Sequence, residues 1–251
     1  MMKILTNTTK ITMAILLMGV LILPTSCKKE LLDQTPTDLL ASENFWKTDE
    51  DATIALMASY SAARAVFDRD YYFDGQGAEF TRVRGNSGTS GQILRGDAYQ
   101  AGTYLPSGYG ANFDKYFSYL YGSVNRANYV IENITNKMLP TATGTKLASL
   151  ESIVAEARLL RGMTYFRLIT MWGDVPYIGK IVYDNSEVAS LSRMPIGQVK
   201  DSIMADFNYA VTKLPNKAAA LGRASKPAAL AFSGKLNLYW GSWKKNGWPE
   251  L

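Results

Sequence analysis

The sequence predicts a mainly α-helical fold of packed helical hairpins with long irregular loops, and three observations carry that prediction. Five stretches repeat apolar residues every three or four positions, the period of one helix face. Small residues recur along two of these stretches, where they let neighbouring helices approach closely. A long Gly- and Tyr-rich segment between the first and second stretch follows neither helical nor strand period.

The chain begins MMKILTNTTKITMAILLMGVLILPTSC, with Lys3 and Lys10 ahead of an apolar run from Ile11 to Leu23 and small residues before Cys27. A helix over that run rises only about 20 Å, short of the roughly 30 Å hydrocarbon core. Residues 1–26 therefore read as a signal peptide. Thr25 and Ser26 before Cys27 resemble the bacterial lipobox, with Pro24 standing where that pattern has Leu. Cys27 is the only cysteine in 251 residues, so an internal disulfide is excluded and lipidation is the role expected of it. A secreted protein with a free thiol is the competing reading. Residues 27–37 then form a lipidated tether, each buried CH₂ of the acyl chains contributing about 0.8 kcal/mol. Residues 38–251 form the folded domain.

Thr48 is placed to cap the first helix, with Asp49, Glu50 and Asp51 in the turn where carboxylates suit the helix dipole. Ala52, Leu56, Tyr60, Ala63 and Phe67 form its apolar face, and Phe45 and Trp46 are placed to staple onto it. From Asp68 to about Phe113 periodicity lapses, apart from a short helix expected around Gln76 to Arg84. The second helix carries Tyr116, Leu120, Val124, Ala127, Ile131 and Ile134 on one stripe. A third, long helix lines Leu147, Leu150, Val154, Ala157, Leu160, Thr164, Leu168 and Trp172 on its face, and Gly173 and Pro176 stop it. A loop with short extended pieces leads to a fourth helix marked by Ile196, Val199, Ile203, Phe207, Ala210 and Leu214 and ended by Pro215. Pro227 starts a fifth, with Ala228, Ala231, Leu238 and Trp240 expected in the core.

Ala155, Ala157 and Gly162 in the third helix and Ala228, Ala231 and Gly234 in the fifth are the small residues of tetratricopeptide-type hairpins. Trp172-Gly173 recurs as Trp240-Gly241, 68 residues on and twice the 34-residue period, but other positions do not align. Polar groups in the Glu156–Arg158 and Asn125–Asn128 runs are expected to pair across the interface of their helices.

Composition excludes several chemistries. With no His, most zinc sites, Ser-His-Asp and Cys-His nucleophiles and imidazole proton shuttles are absent. The 27 basic side chains less Lys3 and Lys10 leave 25 against 22 acidic ones, without clustering, so nucleic acid is not an expected partner. GNSGTSG at 85–91 lacks the Lys and flanking strand of a phosphate loop. DRDYYFDG fails as an EF-hand, because Tyr72 and Thr81 stand where ligands are needed. Arg95–Asp97 is a chance-length RGD. No cofactor or metal site is expected.

The stretches SCKKELLDQTPTDLLASENFWKTDEDATIALMASYSAAR, LYGSVNRANYVIENI, AEARLLRGMTYFRLITMWGDVPYI, LSRMPIGQVKDSIMADFNYAVTKLP and GRASKPAALAFSGKLNLYWGSW occur in the order and context of one family. On them the chain resembles the SusD/RagB outer-membrane nutrient-binding lipoproteins of Bacteroidetes, from Cys27 to about Trp243. The resemblance implies tetratricopeptide-like helix pairs under irregular loops. It implies capture of an oligosaccharide or other nutrient at the cell surface, without catalysis. It also implies a lipid anchor in the outer membrane, facing outward, and a SusC-type TonB-dependent transporter as partner. Such proteins are usually much longer, so the resemblance implies that this sequence is the N-terminal portion of the family pattern, expected to be a truncated gene product or a fragment.

Eleven of the 29 aromatic residues fall between Tyr71 and Tyr119. Sugars present C–H faces that stack on aromatic rings and hydroxyls that need polar partners, and this segment mixes Tyr with Asn, Gln and Arg. Tyr72, Tyr104, Tyr109 and Phe113, the residues freest of helical period, are the candidate glycan contacts; Tyr116, Phe117 and Tyr119 are expected in the core. Two rival readings remain: a helical scaffold binding only protein, and a glycoside hydrolase drawing carboxylates from Asp68, Asp70, Asp74 and Glu79.

Overall fold

The structure, a computed structural model, describes residues 45–68 and 110–247. The chain divides after Phe45, and the fold described is that of the unit from Trp46 onward. Cys27, the leader and tether, the helix expected at 76–84, and Tyr72, Tyr104, Tyr109, Asp70, Asp74 and Glu79 lie outside the described residues.

Among those residues there are five α-helices: α1 (Asp49–Asp68), α2 (Gly110–Asn133), α3 (Gly144–Trp172), α4 (Ile196–Lys213) and α5 (Lys226–Lys245). They contain no named strand; the extended pieces expected after α3 amount to one antiparallel bridge, Val175 to Met194. Thr48 caps α1 as its sequence predicts. Its hydroxyl accepts from the Asp51 N–H (3.1 Å), and the Asp51 carboxylate accepts from the Thr48 N–H (2.8 Å). Desolvation would raise the Asp51 carboxyl, but the Thr48 and Lys47 N–H groups that donate to it hold it below its ordinary range. Trp46 is buried and packs on Tyr129 of α2, ring centroids 5.5 Å apart. Its φ of +74° is costly for so bulky a residue, and this burial is what holds it there.

Each helix runs antiparallel to the next, as the order of paired residues shows. Ser59 and Tyr116 join α1 to α2 through the Arg126 and Val66 carbonyls. Ser123–Thr164 and Asn128–Arg161 join α2 to α3. Glu151–Lys213 and Arg161–Asp206 join α3 to α4, and Gly197–Trp240 and Phe207–Phe232 join α4 to α5. These are the antiparallel helical hairpins that the sequence predicts, although of the small residues expected to mediate close approach Ala231 and Gly234 of α5 are exposed.

The third helix departs from its one-faced reading. Of the face residues, Leu150, Val154, Ala157, Leu160, Thr164 and Leu168 are buried, but so are Ile153, Ala155, Leu159, Tyr165, Phe166 and Ile169 on its other sides. A helix apolar around its circumference belongs inside, and α3 packs against α1, α2 and α4 at once. At Gly162 the bundle has no slack: a Cβ there would stand 2.6 Å from Cε1 of Phe207.

The expectation for α5 is corrected. Its buried residues are Ala229 and Leu236, with Ala228, Phe232, Tyr239 and Trp240 half-buried, whereas Ala231 and Leu238 are exposed. Nothing lies near a Cβ built on Gly234. Two apolar stripes share this helix, and the fold buries the aromatic one, through which Phe232 reaches Phe207 and Tyr239 reaches Phe166. The 68-residue echo is also without structural meaning, since Trp172-Gly173 ends a helix and Trp240-Gly241 lies inside one.

Gly162→Ala is expected to destabilise the protein by about 1–3 kcal/mol, the cost of overpacking a filled core. Urea denaturation followed by far-ultraviolet circular dichroism measures it, and Gly234→Ala, in open space, should be neutral or slightly stabilising.

Candidate functional site

A polar row on α2 organises the loop between α3 and α4. Asn125, Asn128 and Glu132 stand at spacings of three and four, on one side of the helix. The Asn125 amide donates to the Val182 carbonyl (2.8 Å) and accepts from the Val182 N–H (2.9 Å). The Asn128 amide donates to the carbonyls of Ile178 and Lys180, and Glu132 accepts from the Ile181 N–H. Side chains here replace the neighbouring strand that an extended segment would otherwise need, because buried backbone groups must be paired. The Tyr165 hydroxyl accepts from the Ile178 N–H at 2.6 Å, and the Tyr121 hydroxyl donates to the Pro176 carbonyl at 2.6 Å. Burial pushes both phenols up from their usual range.

The ends of this loop are also fixed. Gly173 closes α3 at φ +68°, a conformation that favours glycine, and Asp174 accepts from the Ile196 N–H at 2.8 Å to cap α4. Asp184 and Glu187 form a reciprocal capping box around the turn at 185–187. Hydrogen-bond donors on Ser186, Tyr183 and Asp184 hold both carboxyls below their ordinary values.

Between α2 and this loop lies a groove of about 450 Å³, lined by Phe117, Tyr121, Asn125, Pro176, Val182 and Asn185 among others. Phe117 and Tyr121 are 4.7 Å apart at their centroids, and Trp172 meets Phe117 edge-on at 5.2 Å. Half-buried rings beside amide and backbone groups suit a ligand with both apolar faces and hydroxyls. The groove's described lining contains no carboxylate, and glycoside hydrolysis needs a pair. A second hollow of about 640 Å³ lies between α3 and α5, walled by Phe166, Phe232, Tyr239 and Trp243. There burial pushes the Tyr239 phenol up to about 12.

Of the sequence-predicted contacts, only Phe113 falls in a described element, four residues before Phe117 and eight before Tyr121 on α2. Tyr116 is buried as expected, Phe117 is half-buried and Tyr119 exposed. The polar runs on α2 and α3 do not pair simply with each other. Glu156 instead accepts from Tyr60 and Arg223, and Asn125 serves the loop. Arg161, outside both runs as read, is the group that bridges to Asn128. The Asn125–Asn128–Glu132 spacing was the available signal for the loop; its partners, being backbone, left no trace in side-chain pattern.

Residues 80–238 match the SusD-like family described as starch-binding and associating with the outer membrane. Among curated relatives, SusD-like protein P2 of Formosa agariphila is 28% identical over 85% of this chain and 41% of its own length. A SusD-like protein of Bacteroides ovatus is 26% identical, over 88% of this chain and 38% of its length. Among solved structures, a laminarin-binding SusD-like protein superposes with TM-score 0.62 at 26% identity, covering 78% of this chain and 41% of the other. A SusD homologue from Bacteroides thetaiotaomicron gives TM-score 0.67 at 26% identity, over 79% and 37%. The chain thus spans about two fifths of the length of the proteins it matches.

Asn125→Ala removes both partners of the Val182 backbone. Hydrogen exchange should show the Val182 amide losing protection while the Ile181 amide, held by Glu132, and the α3 amides keep theirs, at a cost of about 1–3 kcal/mol. Because the Asp184 and Glu187 carboxyls are depressed in the fold, their contribution is complete above their unfolded values. It is lost as pH falls through the lowered ones, so the amides of Asp184 and Ser186 should exchange faster there, after correction for intrinsic rates.

Proposed function

The chain belongs to the SusD-like family, and on that premise we propose that it binds an oligosaccharide at the outer membrane and presents it to a SusC-type TonB-dependent transporter. The family match over residues 80–238 carries this reading. The laminarin-binding relative points to a glucan as the class of ligand. The groove supports it with the rings of Phe117 and Tyr121 beside amide groups, and Phe113 stands four positions before Phe117 in the sequence of α2. Tyr72, Tyr104, Tyr109 and Phe113 are the proposed stacking contacts. A sugar's C–H face would lie on such rings while its hydroxyls meet the Asn, Gln and Arg side chains around them.

Anchoring is assigned to Cys27, lipidated after removal of residues 1–26, with 27–37 as tether to a domain at 38–251 and the binding side outward. No helix among the described residues is long and apolar enough to cross a membrane. The function requires no bond to be made or broken, so the role proposed is binding without catalysis.

Titration calorimetry of the full chain in non-ionic detergent, against laminarin and maltose oligosaccharides, tests the binding. One series should bind and change the tyrosine fluorescence. Tyr104→Ala or Tyr109→Ala should weaken it about 2- to 10-fold, the range of a single aromatic contact. No response to any glycan, with capture of the transporter intact, would favour a protein-binding scaffold instead. Separately, Cys27→Ala should abolish incorporation of labelled palmitate and release the protein from outer-membrane fractions.

A further inference from the structure

One leucine stands fully in solvent on a loop that is otherwise held fast. The connection from α4 to α5 covers residues 214–225. The Lys226 N–H donates to the Pro215 carbonyl at 2.9 Å and closes its base. Arg223 pairs with Glu156 of α3 at 2.6 Å, and the Ala224 N–H donates to the Tyr60 hydroxyl of α1 at 2.7 Å. At the tip the Arg223 N–H donates to the Ala220 carbonyl at 3.1 Å, and Gly222, the third residue of that turn, has the positive φ (+83°) that a type II turn requires there. The turn holds Leu221 out at 105% exposure, with Ala219 and Ala220 exposed beside it. A lone leucine on a surface is ordinary; one held clear of the protein by a turn bonded to two helices is placed there. The tip is braced from α1 and α3 at the end of the bundle and does not belong to the outer side of α5.

Basic side chains surround the tip. From Phe207 to Pro249 and from Asn133 to Leu150 the chain has no acidic residue. The connections within these stretches are neighbours, since Lys213 at the end of α4 pairs with Glu151 near the start of α3 at 2.7 Å. Together they present Lys137, Lys146 and Lys217, all exposed, and the half-buried Lys226, none of them in an ion pair among the described residues. The carboxylates at this end, Asp49, Glu50 and Asp51, are in the first turn of α1, where Asp51 is engaged by the Lys47 and Thr48 N–H groups. The chain also enters the fold here, because Trp46, just before α1, packs on Tyr129 near the end of α2. We propose that this end of the bundle rests on an anionic lipid surface, with Leu221 entering the headgroup region and the four lysines facing lipid phosphates. The outer-membrane association of the family supplies a lipid surface. A leucine among lysines suits such an interface, since the apolar tip leaves water while the ammonium groups stay at headgroup level. Each lysine near an anionic surface strengthens binding by about 5-fold, an effect that salt screens. The contact therefore orients a chain anchored by other means, and it rests on the membrane reading above.

Because Cys27 is the only cysteine, Cys27→Ser with Leu221→Cys gives the full chain a single labelling site. Cys27→Ser with Gln198→Cys is the control, at an exposed position in the first turn of α4 at the opposite end. Each is labelled with a nitrobenzoxadiazole fluorophore and reconstituted through its apolar leader into phosphatidylcholine vesicles with and without phosphatidylglycerol. Only chain that floats with the vesicles is read. In the anionic vesicles the probe at 221 should brighten several-fold and be quenched by brominated lipid, while the probe at 198 should not respond. Adding Lys137→Gln and Lys217→Gln should lower the ratio of inserted to free tips on the order of 25-fold at low salt. A probe at 221 that stays in water overturns the proposal, as does equal brightening at both positions or brightening indifferent to phosphatidylglycerol. So does brightening that needs added transporter, which would make the tip a protein contact. Palmitate incorporation reads the lipid anchor itself, so failure of that reading and failure of this contact are told apart.

Discussion

Arg161 places a full charge in the interior of the helix bundle, where water cannot compensate it. Burial alone would penalise the guanidinium, yet its pKa is driven up rather than down by Asp206, which accepts two charge-assisted bonds at 2.8 and 2.7 Å. Its third bond goes to the Asn128 carbonyl oxygen, and the Asn128 amide holds the loop carbonyls of Ile178 and Lys180. One side chain on α3 thereby ties α4, α2 and the loop together. A buried pair of this kind adds little net stability over an apolar replacement, but losing one partner strands a charge. Its consequence here is geometric: the register of α4 on α3 and the position of the loop on α2 are set by the same guanidinium.

A second ion pair does the same at the other side of α3. Glu156 is buried, accepts from Tyr60 on α1 and pairs with Arg223 in the connection from α4 to α5. The Tyr60 hydroxyl in turn accepts from the Ala224 N–H, and desolvation, reinforced by Glu156, pushes its pKa up. The two networks leave α3 on different sides, so the central helix fixes the entry and the exit of the bundle independently of the apolar packing between them.

Helical period made most of this fold legible in the sequence, because burial on one face leaves a repeat of three and four. The stripe on α2 from Tyr116 to Ile134 and that on α4 from Ile196 to Leu214 are buried throughout. Period fails where a helix has no solvent face, as on α3, since a helix apolar all round carries no phase. It fails again where a helix has two apolar faces, as on α5. The groove was less legible still. Its wall is backbone of the loop at 176–182, held by Asn125, Asn128 and Glu132, and a backbone partner imposes no residue type that a sequence could display. The capping of α4 by Asp174 is of the same kind, an acceptor 22 positions upstream of the N–H it serves. The candidate stacking residues apart from Phe113, and Cys27, fall in segments outside the described residues, so their placement rests on sequence.

The two faces of α5 show how packing breaks a tie that hydrophobicity cannot. Ala231 and Leu238 are as apolar as Ala229 and Leu236, and either pair could line a core. The neighbouring helices decide between them. Gly162 on α3 admits Phe207 of α4 so closely that the ring is fixed, and Phe207 then offers its remaining side to Phe232 at 6.0 Å. Phe232 is four residues before Leu236 on the same face, so seating it buries Leu236 and Ala229 and turns Leu238 to solvent. The orientation of the last helix thus follows from one absent side chain on the central one.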